Sequence, residues 1–126
     1  VSTRFAGYAA LFDRVDRGGD VIRRGAFASA SAPVPVFWQH DARRRVGTVE
    51  MLGEDARGLR VIGRVDAPVA PGTGLSFGYR VNGASYGTNR ELTDLELVEV
   101  SLVKSPMQPL ARVHAVEDST RSTGEA

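Results

Sequence analysis

Three residue types in this chain combine into the chemistry of acyl transfer. Ser76 sits in Gly74-Leu75-Ser76-Phe77-Gly78, flanked by glycines inside an apolar run, so its hydroxyl can be presented with little steric cover. The chain has two histidines, and His40 directly follows the apolar stretch 34–38. Glu99 lies in Leu97-Val98-Glu99-Val100-Ser101-Leu102-Val103, where an ionised carboxylate is costly unless it has a partner. Nucleophile, base and orienting acid are the three parts of a serine hydrolase, recognised by role rather than by chain order.

Each residue also has a plainer explanation. Glycines around a serine occur often by chance and mark turns or bulges in strands. The Ser76 block opens a strand rather than a helix, so the nucleophile elbow of α/β-hydrolases does not apply. A histidine at a strand end commonly bonds its own loop. An imidazole that titrates near neutral pH and sits beside Trp38 is nevertheless a candidate general base. His114, close to a polar tail, reads as a bystander.

Strand alternation sets Leu95, Leu97, Glu99, Ser101 and Val103 on one side and Glu96, Val98, Val100 and Leu102 on the other. Both sides are largely apolar, which predicts a central strand. Glu99 and Ser101 are then polar groups among apolar neighbours. A buried Glu99 needs a histidine or arginine. Its structural alternative is a hydrogen bond or a salt bridge to Arg80 or Arg90.

Composition narrows the field. At 126 residues the chain suits one compact domain, and 42% hydrophobic with 25% charged residues is an ordinary globular balance. A net charge of +1 gives no electrostatic case for nucleic acid or an anionic membrane as partner. The basic run Arg43-Arg44-Arg45 reads as solvated surface. Without cysteine there is no disulfide framework, thiol nucleophile or cysteine-based zinc site. With two distant histidines, a metal site would rest on carboxylates, and Asp13, Asp16 and Asp20 read as turn residues. No phosphate-binding loop is present, so no cofactor is expected. No apolar run approaches the roughly 18 residues of a membrane span, and Arg4 and Asp13 interrupt any signal-peptide pattern.

The elements that must position these residues are mostly strands. Strand signals cover 5–12, 21–22, 34–38, 46–51, 59–65, 75–81, 92–103 and 111–116. The 46–51 and 59–65 segments predict a hairpin around the polar turn 53–58. Small residues at 25–31 allow one short helix. Segment 66–74, with Pro68, Pro71, Gly72 and Gly74, predicts a loop, and 82–89 a flexible turn. Residues 117–126 predict a disordered polar tail. The sum is a small, mostly β domain over 1–116 with one or two short helices, a barrel or a sandwich.

In order, the chain carries Gly7-Tyr8-Ala9-Ala10-Leu11-Phe12, Gly19-Asp20-Val21-Ile22 with Gly25-Ala26-Phe27, and Gln39-His40-Asp41 with Val46-Gly47. Next come Gly58-Leu59-Arg60-Val61, Gly74-Leu75-Ser76-Phe77-Gly78-Tyr79, and Leu97 to Val103 with Pro106 and Ala111. Each block is weak alone, but their order and spacing along nearly the whole length are specific. The chain resembles the prohead (capsid maturation) serine proteases of tailed phages and gene transfer agents, which look similar in fold to the herpesvirus assemblin proteases. That resemblance implies a mostly β fold with a few short helices, a small closed or partly open β-barrel. The resemblance implies Ser76 as nucleophile and His40 as general base. Glu99 takes the position of the second histidine of the herpesvirus enzymes, with Glu96 and Asp94 as alternatives for that third role.

The implied activity is endopeptidase cleavage of scaffold and capsid segments during capsid maturation, with self-cleavage in the polar tail. The implied partners are the major capsid protein, the scaffold and further copies of the chain. The implied place is the assembling prohead inside the host bacterial cytoplasm. One departure stands out. The family usually carries an amphipathic helix before the Gly-Leu-Ser block, and 66–74 is too short and too rich in proline and glycine to form it. A non-catalytic capsid- or scaffold-binding module derived from such a protease is therefore the main alternative. A small-molecule esterase and a structural capsid component rank below it.

Overall fold

A computed structural model describes residues 2–118. It contains eight strands: β1 (Thr3–Leu11), β2 (Asp20–Ile22), β3 (Val34–Trp38), β4 (Asp41–Glu54), β5 (Gly58–Val65), β6 (Gly74–Tyr86), β7 (Arg90–Val103) and β8 (Val113–Asp118). They form one strongly bent sheet in the order β2-β7-β3-β4-β5-β1-β8, with β6 also paired to β7. β6 runs antiparallel along one edge of β7. The other edge is shared by two short parallel partners, β2 against 90–92 and β3 against 100–102. β7 is thus the central strand that its two-sided apolar pattern predicts.

The sheet is not closed. Its two ends approach through a bridge between Gly74 and Arg112 and the bond from Leu75 N–H to the Ala111 carbonyl (2.8 Å), without a ladder joining β6 to β8. A closed barrel is therefore not formed, and the mostly β expectation is met by an open sheet.

The expected helices are not found: no helix occurs among the described residues. At 25–30 the chain makes successive three-residue turns, Ala26 to Arg23, Ala28 to Gly25 and Ala30 to Phe27. Gly25 enters them with φ of 93°, and the Glu54 carboxylate accepts the N–H groups of Gly25 and Phe27 (both 2.8 Å). The turn bonds reach back only three residues and the stretch is short, so no regular helical ladder forms. The expected flexible turn at 82–89 is also mostly strand. Cross-strand bonding to β7 carries β6 through its Gly, Ser and Asn residues to Tyr86, overriding weak β propensity. Residues 117–118, expected in the disordered tail, pair with β1 at the end of β8, and the rest of that tail lies outside the described residues.

The core gathers Phe5, Leu59, Val61, Leu75, Leu92 and Leu102 from four strands around the bent sheet. Leu59 is fully buried. Its replacement by alanine is expected to cost about 2–5 kcal/mol, read from urea unfolding, since the site keeps a cavity when its walls cannot collapse. A register shift in β6–β7 skips Val98, so the core-facing phase changes between Leu95 and Val100. Beyond that irregularity Val100 and Leu102 point into the core, and Glu99 and Ser101 take the opposite face.

Candidate active site

The site is assembled by three neighbouring strands. β7 supplies Glu99 and Ser101 two residues apart on one face. β6 lies opposite, with Ser76 paired to Ser101 and Gly78 paired to Glu99. β3 delivers His40 from the other edge of β7. Trp38 pairs with Leu102, and the Gln39 N–H still reaches the Leu102 carbonyl (2.9 Å). Gln39 and His40 then take consecutive left-handed conformations, φ of 53° and 61°. Such a conformation costs a non-glycine residue about 1–2 kcal/mol, so outside bonds must hold it. Two are visible: Gln39 Oε1 accepts the Lys104 N–H (2.7 Å), and Ser101 Oγ accepts the His40 N–H (3.1 Å).

This tight turn brings the His40 ring onto Glu99. Nδ1 lies 3.0 and 3.1 Å from the two carboxylate oxygens. Glu99 is only 5% exposed, whereas the His40 side chain is 45% exposed. The hydrogen bond to Glu99, helped by its charge, raises the His40 pKa above its usual range, against the opposing effect of partial burial. With Nδ1–H donating to the carboxylate, Nε2 holds the lone pair that can take a proton.

Ser76 and His40 line the same two cavities. One, of about 140 Å³, also includes Ala9, Asp16, Phe77 and Tyr79. The other, of about 250 Å³, includes Gln39, Lys104 and Ser105. Ser76, His40 and Met107 are common to both. The two hollows thus meet at the serine and histidine.

The sequence-derived candidates separate cleanly. Ser76, His40 and Glu99 are brought to one place. Arg80 and Arg90, the structural alternatives for Glu99, are engaged elsewhere: Arg80 with Glu96 (3.4 Å) and Arg90 with Asp20 (2.7 Å). Glu96 is thereby held outside the His40 contact, and Asp94 is exposed on the far half of β7. His114 packs its ring against Tyr8. Asp16 does act as a turn residue, accepting the N–H groups of Gly18 (2.8 Å) and Asp20 (3.0 Å).

Gly78 is a site residue the sequence conceals. A Cβ there would lie 2.9 Å from Glu99 Oε2 and 3.0 Å from Cδ and Cγ. The obstruction is a side chain rather than backbone, so the fold can survive by displacing the carboxylate. Gly78→Ala is expected to keep a wild-type denaturation midpoint within a few degrees. It is also expected to lower catalytic rate by about 10²-fold, the effect of roughly 1 Å misplacement.

The family model for the caudovirus prohead serine proteases matches residues 1–125. The chain belongs to this family. It is 31% identical over 134 residues to the prohead protease of Enterobacteria phage HK97, a match covering 90% of this chain and 60% of that protein. The chain therefore spans about three-fifths of the length of that curated relative. Its fold is similar to the protease of Kaposi's sarcoma herpesvirus (KSHV). In the structure with a hexapeptide phosphonate inhibitor, the TM-score is 0.66 at 13% identity over 98% of this chain and 69% of that one. In the structure with an allosteric inhibitor, it is 0.61 at 12% identity over 98% and 82%. At such identities the likeness speaks for the fold alone. The prohead-protease family and the herpesvirus-protease-like fold match the expectations drawn from the ordered sequence blocks.

Proposed function

We propose that this prohead-protease family member is a serine endopeptidase that cleaves scaffold and capsid protein segments as a phage-like shell matures, within the assembling prohead. Ser76 attacks the scissile carbonyl, and His40 Nε2 takes its proton and returns it to the leaving amine. Glu99 holds the imidazole in the required tautomer and stabilises its cation. The second step is hydrolysis of the acyl-enzyme by water. The observation that carries this reading is the buried Glu99 carboxylate bonded to Nδ1 of a histidine that shares two cavities with Ser76. Arg80 and Arg90 pair with Glu96 and Asp20, and the ionisable partner of Glu99 is this half-exposed histidine.

Family membership and the shape of the cleft support these substrates. The hollows on both sides of Ser76 suit an extended peptide with side chains on either side of the cut, rather than a small ester. The polar C-terminal segment 117–126 is a candidate for self-cleavage. Dimers or higher assemblies of the chain are part of this reading.

A fluorophosphonate probe tests the chemistry. It is expected to add once, at Ser76, with labelling abolished by Ser76→Ala and strongly slowed by His40→Ala. Absence of any adduct, in dilute protein and in assembled shells alike, would favour the non-catalytic binding module.

A further inference from the structure

We propose that Ser101 is a positioning residue that ties the acid and the base of the site together through one hydroxyl. The inference rests on the catalytic reading of His40 and Glu99. Ser101 is fully buried, and its Oγ donates to Glu99 Oε1 at 2.6 Å, with Oε2 at 3.3 Å. The same oxygen accepts the His40 backbone N–H at 3.1 Å. A hydroxyl has one donor and two acceptor sites, so both bonds form at once.

The two bonds act on different freedoms. Donation to Oε1 stops the Glu99 carboxylate from rotating about its last torsion, which is broad and weakly restrained when unbonded. Acceptance from the His40 N–H holds the backbone of a residue whose left-handed φ is otherwise unfavourable. Carboxylate and imidazole therefore meet at a geometry set on β7. Ser101 is also the cross-strand partner of Ser76, so the hydroxyl stands at the point where all three strands of the site converge. Alanine or valine would satisfy the apolar surroundings of this strand better, and the buried hydroxyl finds its bonds only in the site.

Ionisable groups around the His40 ring are Glu99 from β7, Asp41 at the start of β4, and Asp16, Asp20 and Lys104 lining the adjoining cavities. Asp41 is paired with Arg43 and Asp20 with Arg90, and Glu99 is the carboxylate in contact with the ring. The His40 titration therefore reads chiefly the Glu99 contact.

The test follows imidazole NMR titration of His40 and the rate of fluorophosphonate labelling against pH in wild type, Ser101→Ala, Ser101→Cys and Ser101→Thr. Ser101→Ala removes the donor with little change in volume, and Ser101→Cys keeps the volume with a weak donor. Both are expected to slow labelling about 10–100-fold and to move the His40 midpoint down toward its ordinary value. Ser101→Thr, which keeps the hydroxyl, is expected to recover most of both. If Ser101→Ala does not fold, Ser101→Cys carries the same comparison.

Folded Ala and Cys variants with wild-type His40 midpoints and labelling rates would overturn the proposal. So would defects that Ser101→Thr fails to relieve while remaining folded. If the wild type is never labelled, the protease reading fails. The His40 titration still decides whether Ser101 positions the pair.

Discussion

Ser76→Ala is expected to lower kcat/KM on a cleavable peptide by about 10⁴–10⁶-fold while leaving peptide binding and unfolding midpoint nearly unchanged. The size follows from the unit behaviour of a catalytic constellation, in which loss of the nucleophile forfeits nearly everything the other members contribute. The selectivity of the effect follows from placement. Ser76 is half-buried on β6, a strand whose other side is open beyond its first residues, and its hydroxyl fills no core position. His40→Ala is expected to fall in the same range, and the double variant to be little worse than either single one. Independent, multiplicative losses would mean that the two residues do not act together. Steady-state kinetics with circular dichroism as a folding control decides between these outcomes.

The second large effect concerns Glu99. Glu99→Gln keeps the shape and one acceptor oxygen but removes the charge, and its amide N–H₂ can face Nδ1 and select the wrong tautomer. The expected loss is about 10⁴-fold in kcat, the magnitude known for an orienting aspartate changed to asparagine in a serine protease triad. The pH profile supplies the sign. Glu99 raises the His40 pKa. A general base must be neutral, so wild-type activity is expected to rise with pH through a midpoint above His40's ordinary value of 6.5. In Glu99→Gln the residual activity is expected to rise through a lower midpoint. A residual profile that keeps the wild-type acid limb would show that Glu99 is not the group coupled to His40.

Much of this site is legible in the sequence because its chemistry is unusual for its surroundings. A carboxylate and a hydroxyl at alternate positions of an apolar strand announce a buried polar cluster, and Glu99 and Ser101 form one with His40. A glycine-flanked serine and a histidine at a strand end completed the set. What stayed hidden depends on pairing between distant strands. Nothing local says that Gly78 faces Glu99, or that Ser101 reaches the His40 backbone 61 residues away. Two left-handed residues at Gln39 and His40 carry no glycine or asparagine to signal them.

The fold was readable in kind and less so in detail. Period-two patterns and β-branched runs gave the strands, including the central role of β7. The short helix at 25–31 is replaced by turns whose bonds reach back three residues, so no four-residue ladder is established over so short a stretch. The turn at 82–89 shrank because a long partner strand recruits residues of poor β propensity into its ladder. The connection at 66–73 formed no helix, as its prolines and glycines dictate.

The central claim is tested most directly by co-expressing the chain, as wild type and as Ser76→Ala, with its cognate major capsid and scaffold proteins. Intact masses of the particle proteins are then compared. Shortening of a capsid or scaffold chain at defined sites in the wild-type particles, with full-length chains in Ser76→Ala particles, is the predicted result. Identical masses from both, with assembled shells present in each, would contradict it.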